Sequence, residues 1–256
     1  MSPPAEPELD VVILTWNDGP LLDVAVASAL ASTGVRVNVH VVDNGSEPPA
    51  SVAEGVRLTR NEGNAGVAGG RNQGAARGSA PLVCFLDSDA ELAPHSLARL
   101  VGVLDDPGVA VAVPVFARQA PEASGGRAPT LAVKVARGLG RRNTYRSSNP
   151  PPGASSWDVD FGIGACQVVR REVFDAVGGL DDSIFYGPED VDFCLRVKAA
   201  GHRVVQVDGA EVHHPPRRAF RRPLTVRGLR HGWSILRHLW RHRGAQTGGA
   251  TRRPRS

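Results

Sequence analysis

Hydrophobic positions in the first 110 residues alternate between short continuous runs and longer segments with helical spacing. Four continuous runs predict buried strands: residues 10–16, 37–43, 56–59 and 82–87. Residues 20–33, which begin with a proline, and residues 94–106 have apolar side chains at helical spacing and predict helices. This alternation predicts an α/β fold with a mixed, mostly parallel central sheet flanked by helices.

The pattern resumes after a segment that is poor in apolar residues. Residues 119–156 contain "QAPEASGGRAPT" and "SSNPPPGASS", and a loop of this length is typical of a lid or binding loop. Residues 157–179 predict one strand followed by a helix, residues 188–201 predict a helix, and residues 202–214 predict a strand and turn. We therefore predict one domain over residues 9–216 that contains the loop-rich insertion.

Polar residues follow three of the predicted strands at the point where each strand ends. Thr15 and Asn17 follow the first strand, Asp43 ends the second, and Asp87 ends the fourth. In sheets of parallel strands, ligands bind beyond the carboxyl ends of the strands. We therefore expect these side chains to line one rim of the sheet and to contact a ligand there.

The stretch "LVCFLDSDAEL" places two carboxylates, Asp87 and Asp89, on either side of Ser88 at the end of a buried strand. Carboxylates this close repel each other and raise each other's pKa. A divalent cation with oxygen ligands, Mg²⁺ or Mn²⁺, would remove this repulsion and keep positions open for substrate phosphates. The alternative is structural: Asp87 caps the turn and Asp89 is solvated.

Two further groups of titratable residues occur late in the chain. Glu189 and Asp190 lie in the first turn of the predicted helix 188–201, where the helix N-terminus stabilises ionised carboxylates. They are either capping residues or a general base for a substrate hydroxyl. His213 and His214 follow the last strand, and strand alternation allows only one of them to face the rim as a metal ligand.

The segment "NEGNAGVAGGRNQG", residues 61–74, is rich in glycine. It matches neither the P-loop pattern nor the dinucleotide-binding fingerprint. Its glycine content predicts close approach of the backbone to a ligand, to which Arg71 would supply charge and Asn72 amide hydrogen bonds.

Together these stretches resemble inverting nucleotide-sugar glycosyltransferases of family 2, which have the GT-A fold. The resemblance covers roughly residues 9–216, and within the family it is closest to rhamnosyltransferase-like members. Its motifs, in order, are "VVILTWN", "VVDNGS", "NEGNAGVAGGRNQGA", "FLDSDAEL", "GACQVVRREVFDAVGGLDDSIFYGPEDVDFCLRVKAAG" and "AEVHH". The long stretch from the "GA" element to the "ED" pair is the most specific of them.

The resemblance implies a role for each candidate residue. The residues implied to bind a UDP- or dTDP-linked sugar donor are Thr15, Asn17, Asp43, Arg71, Asn72, Asp87 and Ser88. The ligands implied for a divalent metal, Mn²⁺ or Mg²⁺, are Asp87, Asp89 and His214, with the register of the histidine pair open by one. The catalytic base implied is Asp190, and the residues implied on the acceptor side are Glu189, Phe161 and Gly164. Phe161 stands where the family often has tryptophan, which leaves the acceptor preference open.

The reaction implied by the resemblance is a single displacement at the anomeric carbon. Asp190 would remove the proton of an acceptor hydroxyl, the metal would neutralise the departing diphosphate, and the anomeric centre would invert. The sequence does not identify the sugar or the nucleobase. The acceptor is a polysaccharide, a lipid carrier or a small natural product.

Charge is distributed unevenly along the chain. The net charge is +4, yet 12 arginines and no acidic residue lie between Arg217 and Ser256. The first 216 residues contain 18 basic and 26 acidic side chains, a net charge of −8.

We predict a basic amphipathic helix and a disordered tail over residues 217–256. The apolar stripe of this helix consists of Leu229, Trp233, Leu236 and Trp240. It either contacts a membrane surface through residues 224–243 or packs on the protein's own body.

The ends and the composition indicate a compartment and limit the alternatives. Residues 1–8 are proline-rich and acidic, so they predict a disordered N-terminus and not a signal peptide. No apolar run is long enough to span a membrane, and the three cysteines form no zinc motif, so we expect a cytoplasmic protein, peripheral at the inner face of the membrane if the basic segment binds lipid.

Two rival functions remain at this stage. A sugar-phosphate nucleotidyltransferase would also use carboxylates and metal, but "TWNDGPLLD" lacks the basic glycine-rich loop that such an enzyme has after strand one. A non-catalytic protein that binds nucleic acid through the arginine-rich tail is disfavoured by the acidic body. We therefore expect no nucleic-acid partner.

Overall fold

A computed structural model describes residues 6–117, 124–127 and 150–215 of the chain. Most of the predicted insertion 119–156 and all of the predicted basic segment 217–256 lie outside the described residues. Residues 6–8 belong to the predicted disordered N-terminus, but the structure attaches them to the body. The Arg36 Nε donates to the Glu6 carbonyl at 3.0 Å, and the Arg36 Nη2 lies 3.0 Å from the Glu8 Oε1.

Strands and helices alternate along the described residues. The strands are β1 (Leu9–Thr15), β2 (Val37–Asp43), β3 (Arg57–Arg60), β4 (Leu82–Asp87), β5 (Glu91–Leu92), β6 (Val109–Phe116), β7 (Gly125–Gly126), β8 (Ser156–Val159), β9 (Phe161–Gly162), β10 (Cys166–Arg170) and β11 (Arg203–His213). The helices are α1 (Pro20–Leu30), α2 (Gly66–Ala75), α3 (Ser96–Gly102), α4 (Arg171–Ala176) and α5 (Glu189–Ala199), with a 3₁₀ turn at Val103–Asp105.

A mixed central sheet has the order β3-β2-β1-β4-β10-β6-β11-β5, and β8 pairs with β11 beside this path. Strands β3, β2, β1 and β4 are parallel, as are β6 and β11. Strand β10 lies antiparallel between β4 and β6. The predicted α/β fold with a mostly parallel sheet flanked by helices is confirmed. Of the described helices, none has both the length and the apolarity needed to cross a membrane.

Alternation along the strands divides the buried side chains between the two faces of the sheet. On one face, Val11 and Ile13 of β1 belong to a core that includes apolar residues of α1 and α3. On the other face, Val12 belongs to a second core that includes residues of α2, α4 and α5. Because β1 is covered on both faces, it has the continuous hydrophobic run that is typical of a buried parallel strand.

The structure corrects one prediction and adds one strand that was not predicted. Residues 157–179 were expected to form one strand before the helix, but they contain parts of three strands that pair with different partners. Strand β8 pairs with β11, β9 pairs with β7, and β10 pairs with β4 and β6. Strand β6 was not predicted, and it contains Pro114, a residue that argues against a central strand.

The glycine-rich segment has a packing role that its composition alone does not predict. Three glycines spaced four residues apart on α2 lie against protein rather than against open space. A Cβ at Gly66 would lie 2.7 Å from the Phe185 carbonyl, one at Gly70 would lie 2.3 Å from Leu14, and one at Gly74 would lie 2.3 Å from Val12. Gly70 and Gly74 therefore allow close packing of the helix on β1, and Gly66 allows close approach of the helix start to Phe185.

We predict that Gly74→Ala lowers the free energy of unfolding by about 1–3 kcal/mol, the usual cost of overpacking a core. Val12 is fully buried and β-branched, so it cannot move aside readily. Gly69→Ala is the matched control on the same helix, because its Cβ would meet only Ala65 at 3.4 Å. Chemical denaturation of both variants tests this, and an equal effect at the two positions would contradict the packing role.

Candidate active site

The carboxyl ends of β1, β2 and β4 meet at one rim, as the sequence predicts. Thr15 is in register with Asp43 on the neighbouring strand, and Leu14 is in register with Asp87 on the other side. Thr15 and Asp43 are buried, whereas the Asp87 side chain is 34% exposed. The rim therefore presents Asp87 to solvent on one side of Thr15, with the buried Asp43 on the other side.

Asp87, Asp89 and His214 form a cluster on this rim. Their potential ligand atoms all lie within 4.8 Å of one another. The His214 Nε2 lies 3.4 Å from the Asp89 Oδ1 and 3.7 Å from the Asp87 Oδ2, and its ring stacks obliquely on Phe116 with centroids 5.2 Å apart. His213 is the exposed end of β11, opposite Glu91, so of the two histidines it is His214 that lies in this cluster. Two carboxylates and one imidazole are a donor set that fits a divalent cation.

Arg71 lies beneath this cluster and is only 3% exposed. Its Nη2 donates to the Asp87 Oδ1 and to the Gly164 carbonyl, both at 2.6 Å, and its Nη1 lies 3.9 Å from the Glu189 Oε1. The guanidinium also stands 5.9 Å from the centre of the Phe85 ring. Arg71 therefore joins the carboxylate at the end of β4 to the acidic pair at the start of α5.

The acidic pair at the start of α5 has two unlike members. The Asp190 Oδ2 accepts a bond from the Gly164 N–H at 3.0 Å, and its Oδ1 accepts one from the Val191 N–H at 2.7 Å. Burial raises the pKa of Asp190, although these two donors stabilise the ionised form. Burial and then repulsion from Asp190 raise the pKa of Glu189 to about 7, and its Oε2 accepts no hydrogen bond from the described residues. Glu189 therefore retains its proton more readily than Asp190 does.

Asp43, one of the residues implied to bind the donor, also holds its own loop in place. Its Oδ1 accepts a bond from the Ser46 N–H at 2.8 Å, its Oδ2 accepts one from the Ala50 N–H at 3.0 Å, and Arg60 pairs with the same Oδ2. Burial alone raises the pKa of Asp43, but these hydrogen bonds and the charge of Arg60 hold it below its usual value. Asn17, at φ 59°, accepts a bond from the Glu47 N–H at 2.8 Å and so connects this loop to the end of β1.

Two other residues that the sequence assigned to ligands face the protein interior. The Asn72 amide binds the backbone of Leu180, with its Nδ2 donating to the carbonyl at 2.8 Å and its Oδ1 accepting from the N–H at 3.0 Å. Phe161, implied on the acceptor side, is fully buried in the core between the sheet and α5, so the expectation that its ring contacts the acceptor is corrected. Gly164 contacts Asp190 and Arg71 through its backbone.

Two polar residues of the rim were missed by the sequence analysis. Ser88 Oγ donates to the Asp18 Oδ2, so Asp18 adds another carboxylate beside the Asp87-Ser88-Asp89 stretch. Tyr186 is 44% exposed, and partial burial followed by the charges of Asp87, Glu189 and Asp190 raises its pKa to about 12. Asp18 could have been found because it follows the end of β1 by three residues, whereas nothing in the loop before α5 singles out Tyr186.

A cavity of about 490 Å³ opens at the opposite end of the parallel strands, beside the start of β1. Asp10 and Arg36 line it, but both already bind protein groups. The Asp10 Oδ2 accepts bonds from Arg171 at 2.6 Å and from the Ala80 N–H at 2.8 Å. We therefore locate the candidate active site at the rim and not in this cavity.

Comparison with known proteins agrees with this geometry. The family model described as "Glycosyl transferase family 2" matches residues 10–178. The N-acetylglucosaminyl-diphospho-decaprenol L-rhamnosyltransferase of Mycobacterium tuberculosis is 30% identical over 265 residues, which cover 92% of this chain and 85% of that protein. The chain belongs to glycosyltransferase family 2. It is therefore an enzyme of the glycosyltransferase class.

Other relatives of this family 2 glycosyltransferase match it over a smaller share of their own length. The succinoglycan biosynthesis protein ExoO of Rhizobium meliloti is 36% identical over 122 residues, 44% of this chain and 35% of that protein. A mannosyltransferase of Pyrobaculum calidifontis, solved with GDP-Man and Mn²⁺, is 17% identical with a TM-score of 0.65 over 97% of this chain and 67% of that one. The chain thus spans about a third of the length of ExoO, and the likeness to the solved mannosyltransferase supports the GT-A fold alone.

We predict that the stability of this glycosyltransferase depends on pH through Glu189. Because its folded-state pKa of about 7 lies above the ordinary value of 4.5, the stability contributed by this group is full below about pH 4.5 and is lost as pH rises through 7. The stability of Glu189→Gln relative to that of the wild type should therefore increase as the pH rises from 5 to 8.

Thermal unfolding in metal-free buffer across that range tests the pH dependence. Glu172→Gln, on the exposed surface of α4, is the matched control for loss of one carboxylate. A constant difference between Glu189→Gln and the wild type at all pH values would contradict the raised pKa.

Proposed function

We propose that this family 2 glycosyltransferase transfers a sugar from a nucleoside-diphosphate donor to an acceptor hydroxyl, with inversion at the anomeric carbon, metal assistance and Asp190 as general base. The observation that carries the proposal is the placement of the Asp87, Asp89 and His214 cluster beside the Glu189–Asp190 pair, joined through Arg71. Groups suited to the departing diphosphate and to the attacking hydroxyl therefore border one rim.

The residues that would hold a divalent cation are Asp87, Asp89 and His214. Support comes from their mutual spacing within 4.8 Å and from their chemistry, since carboxylate and imidazole ligands suit Mn²⁺, and carboxylates suit Mg²⁺. Such a cation, when bound, would neutralise the negative charge that develops on the departing diphosphate. The Asp87 Oδ2 and the Asp89 Oδ1 face His214, so both aspartates would contribute an oxygen.

The unlike environments of the acidic pair support assigning the base to Asp190. A general base must be ionised, and the N–H groups of Gly164 and Val191 stabilise the carboxylate of Asp190. Glu189 lacks such donors at its Oε2 and holds its proton up to about pH 7. Two neighbouring carboxyl groups whose pKa values differ commonly divide the work in this way. Asp190 would take the proton of the acceptor hydroxyl as its oxygen attacks the anomeric carbon and the bond to the diphosphate breaks. Glu189 would orient the acceptor.

The donor and acceptor are proposed from positions on the rim and from similarity to a known enzyme. Thr15, Asn17, Asp43 and Ser88 lie along the rim, where a nucleoside would bind, and we retain UDP or dTDP as the carrier. The 30% identity to a decaprenol-dependent L-rhamnosyltransferase supports a rhamnosyl donor and a lipid-linked acceptor. A lipid-linked acceptor would give the basic segment 224–243 a membrane surface to contact from the cytoplasmic side.

We predict metal-dependent nucleotide binding. In calorimetric titrations, UDP or dTDP should bind the wild type more tightly with Mn²⁺ than without it, and Asp89→Ala should remove the difference because a proposed ligand is lost. Asp105→Ala, an exposed carboxylate in the 3₁₀ turn, is the control and should bind like the wild type. GDP in the same panel tests the choice of base. The donor-site proposal fails if no nucleoside diphosphate binds with or without metal.

We further predict that Asp190→Asn lowers kcat by roughly 10²–10⁴-fold, the usual contribution of a general base, while the Kd of the donor stays within about threefold of the wild type. Asp175→Asn on α4 is the control and should keep full activity. Rates are measured with sugars linked to the nucleotide that binds, and proton NMR coupling reports the anomeric configuration of the product. Full activity of Asp190→Asn, or a retained configuration, would refute this mechanism.

A further inference from the structure

Arg71 is a buried cation between two groups that the proposed reaction uses separately. Its Nη2 is 2.6 Å from the Asp87 Oδ1, on the metal side, and 2.6 Å from the Gly164 carbonyl, on the side of the acidic pair. At 3% exposure, its guanidinium has little surface to offer a nucleotide. Its position therefore indicates a different role from the donor contact implied by sequence resemblance.

Gly164 connects Arg71 to the proposed base through a single residue. Its carbonyl accepts the bond from Arg71, and its N–H donates to the Asp190 Oδ2 at 3.0 Å. A Cβ at this position would lie 2.3 Å from the Arg71 Nη1. Residue 164 can therefore make both bonds only if it has no side chain or if Arg71 moves.

Arg71 also determines which oxygen of Asp87 is directed to the cluster. It occupies the Asp87 Oδ1, while the Asp87 Oδ2 lies 3.7 Å from the His214 Nε2. A rotation of the Asp87 carboxylate would break the short bond to a cation that cannot lose its proton. One oxygen of Asp87 is thereby reserved for the cluster.

We propose that Arg71 is a positioning residue that holds Asp87 and, through Gly164, Asp190 in one hydrogen-bonded frame. This inference depends on the proposed function, because it assigns Asp87 to the metal and Asp190 to the acceptor hydroxyl. The frame fixes the separation between the group that removes the proton and the group that holds the leaving diphosphate. Small errors in such a separation cost about 10²-fold in rate.

The planar fork of an arginine is needed for this role. The Nη2 nitrogen of Arg71 donates to two acceptors while its Nη1 faces Glu189. This arrangement uses several N–H groups in fixed directions. Lysine in place of arginine would keep the positive charge but present one nitrogen on a flexible stem. Arg71→Lys therefore separates positioning from charge, and Gly164→Ala disturbs the same frame while leaving every charge in place.

The first test is a kinetic double-mutant cycle on folded variants checked by circular dichroism. We expect Arg71→Lys and Gly164→Ala each to lower kcat about 10²-fold, with the Kd of the donor within about threefold of the wild type, and the double variant to lose no more than either single variant. Unchanged kcat in both single variants, or losses that multiply in the double variant, would overturn the proposal. A weakened donor Kd with unchanged kcat would make Arg71 a nucleotide contact instead.

The second test requires no enzymatic activity, so its outcome does not depend on whether the proposed donor and reaction are correct. The amide proton of Gly164 is followed by NMR in the metal-free protein, where its bond to Asp190 should move its resonance downfield. Arg71→Lys should shift it upfield, as Asp190→Asn does, and Asp175→Asn should not. If Arg71→Lys leaves the Gly164 resonance in place, Arg71 does not position Asp190, whatever the substrate is.

Discussion

The burial of one guanidinium among carboxylates is the interaction on which the site depends. A charge removed from water is tolerated only when it is paired and hydrogen-bonded, and Arg71 is paired with Asp87 at 2.6 Å and lies 3.9 Å from Glu189. The charges of Asp190 and Asp87 add to the effect of burial in raising the pKa of Glu189, and the charge of Arg71 opposes them. These residues are brought together from α2, β4 and α5, and removal of Asp87 would take from the buried Arg71 the carboxylate that it binds at 2.6 Å.

The glycines explain how Arg71 reaches this depth. Gly70 and Gly74 let α2 lie directly against Leu14 and Val12 of β1, and β1 is the neighbour of β4, whose last residue is Asp87. A helix with ordinary side chains on that face would stand farther from the sheet, and its arginine would fall short of the strand end. The glycine-rich composition therefore contributes to the site by bringing a charged residue close to the rim.

The sequence predicted the parts of the site that follow from strand direction. Thr15, Asp43 and Asp87 end parallel neighbours, so period and chain order were enough to place them on one rim. It did not predict the antiparallel β10 or the short β8 and β9, because segments of two to five residues give no periodic signal. The sequence also did not show the direction of a side chain that depends on residues far away along the chain. Asn72 binds Leu180, 108 residues away, and Phe161 enters the core instead of the rim.

Geometry extends the family evidence past the region where sequence similarity to the family model ends. That match stops at residue 178, before Glu189, Asp190 and His214. Strand β11 runs parallel to β6 and ends at the same rim as β4, which brings His214 to Asp87 and Asp89. The N-terminus of α5 is bound to the same rim through the Gly164 N–H. Because these contacts arise from separate elements that converge on Asp87 and its partner Arg71, chance capping of a turn and of a helix is a poor explanation for them.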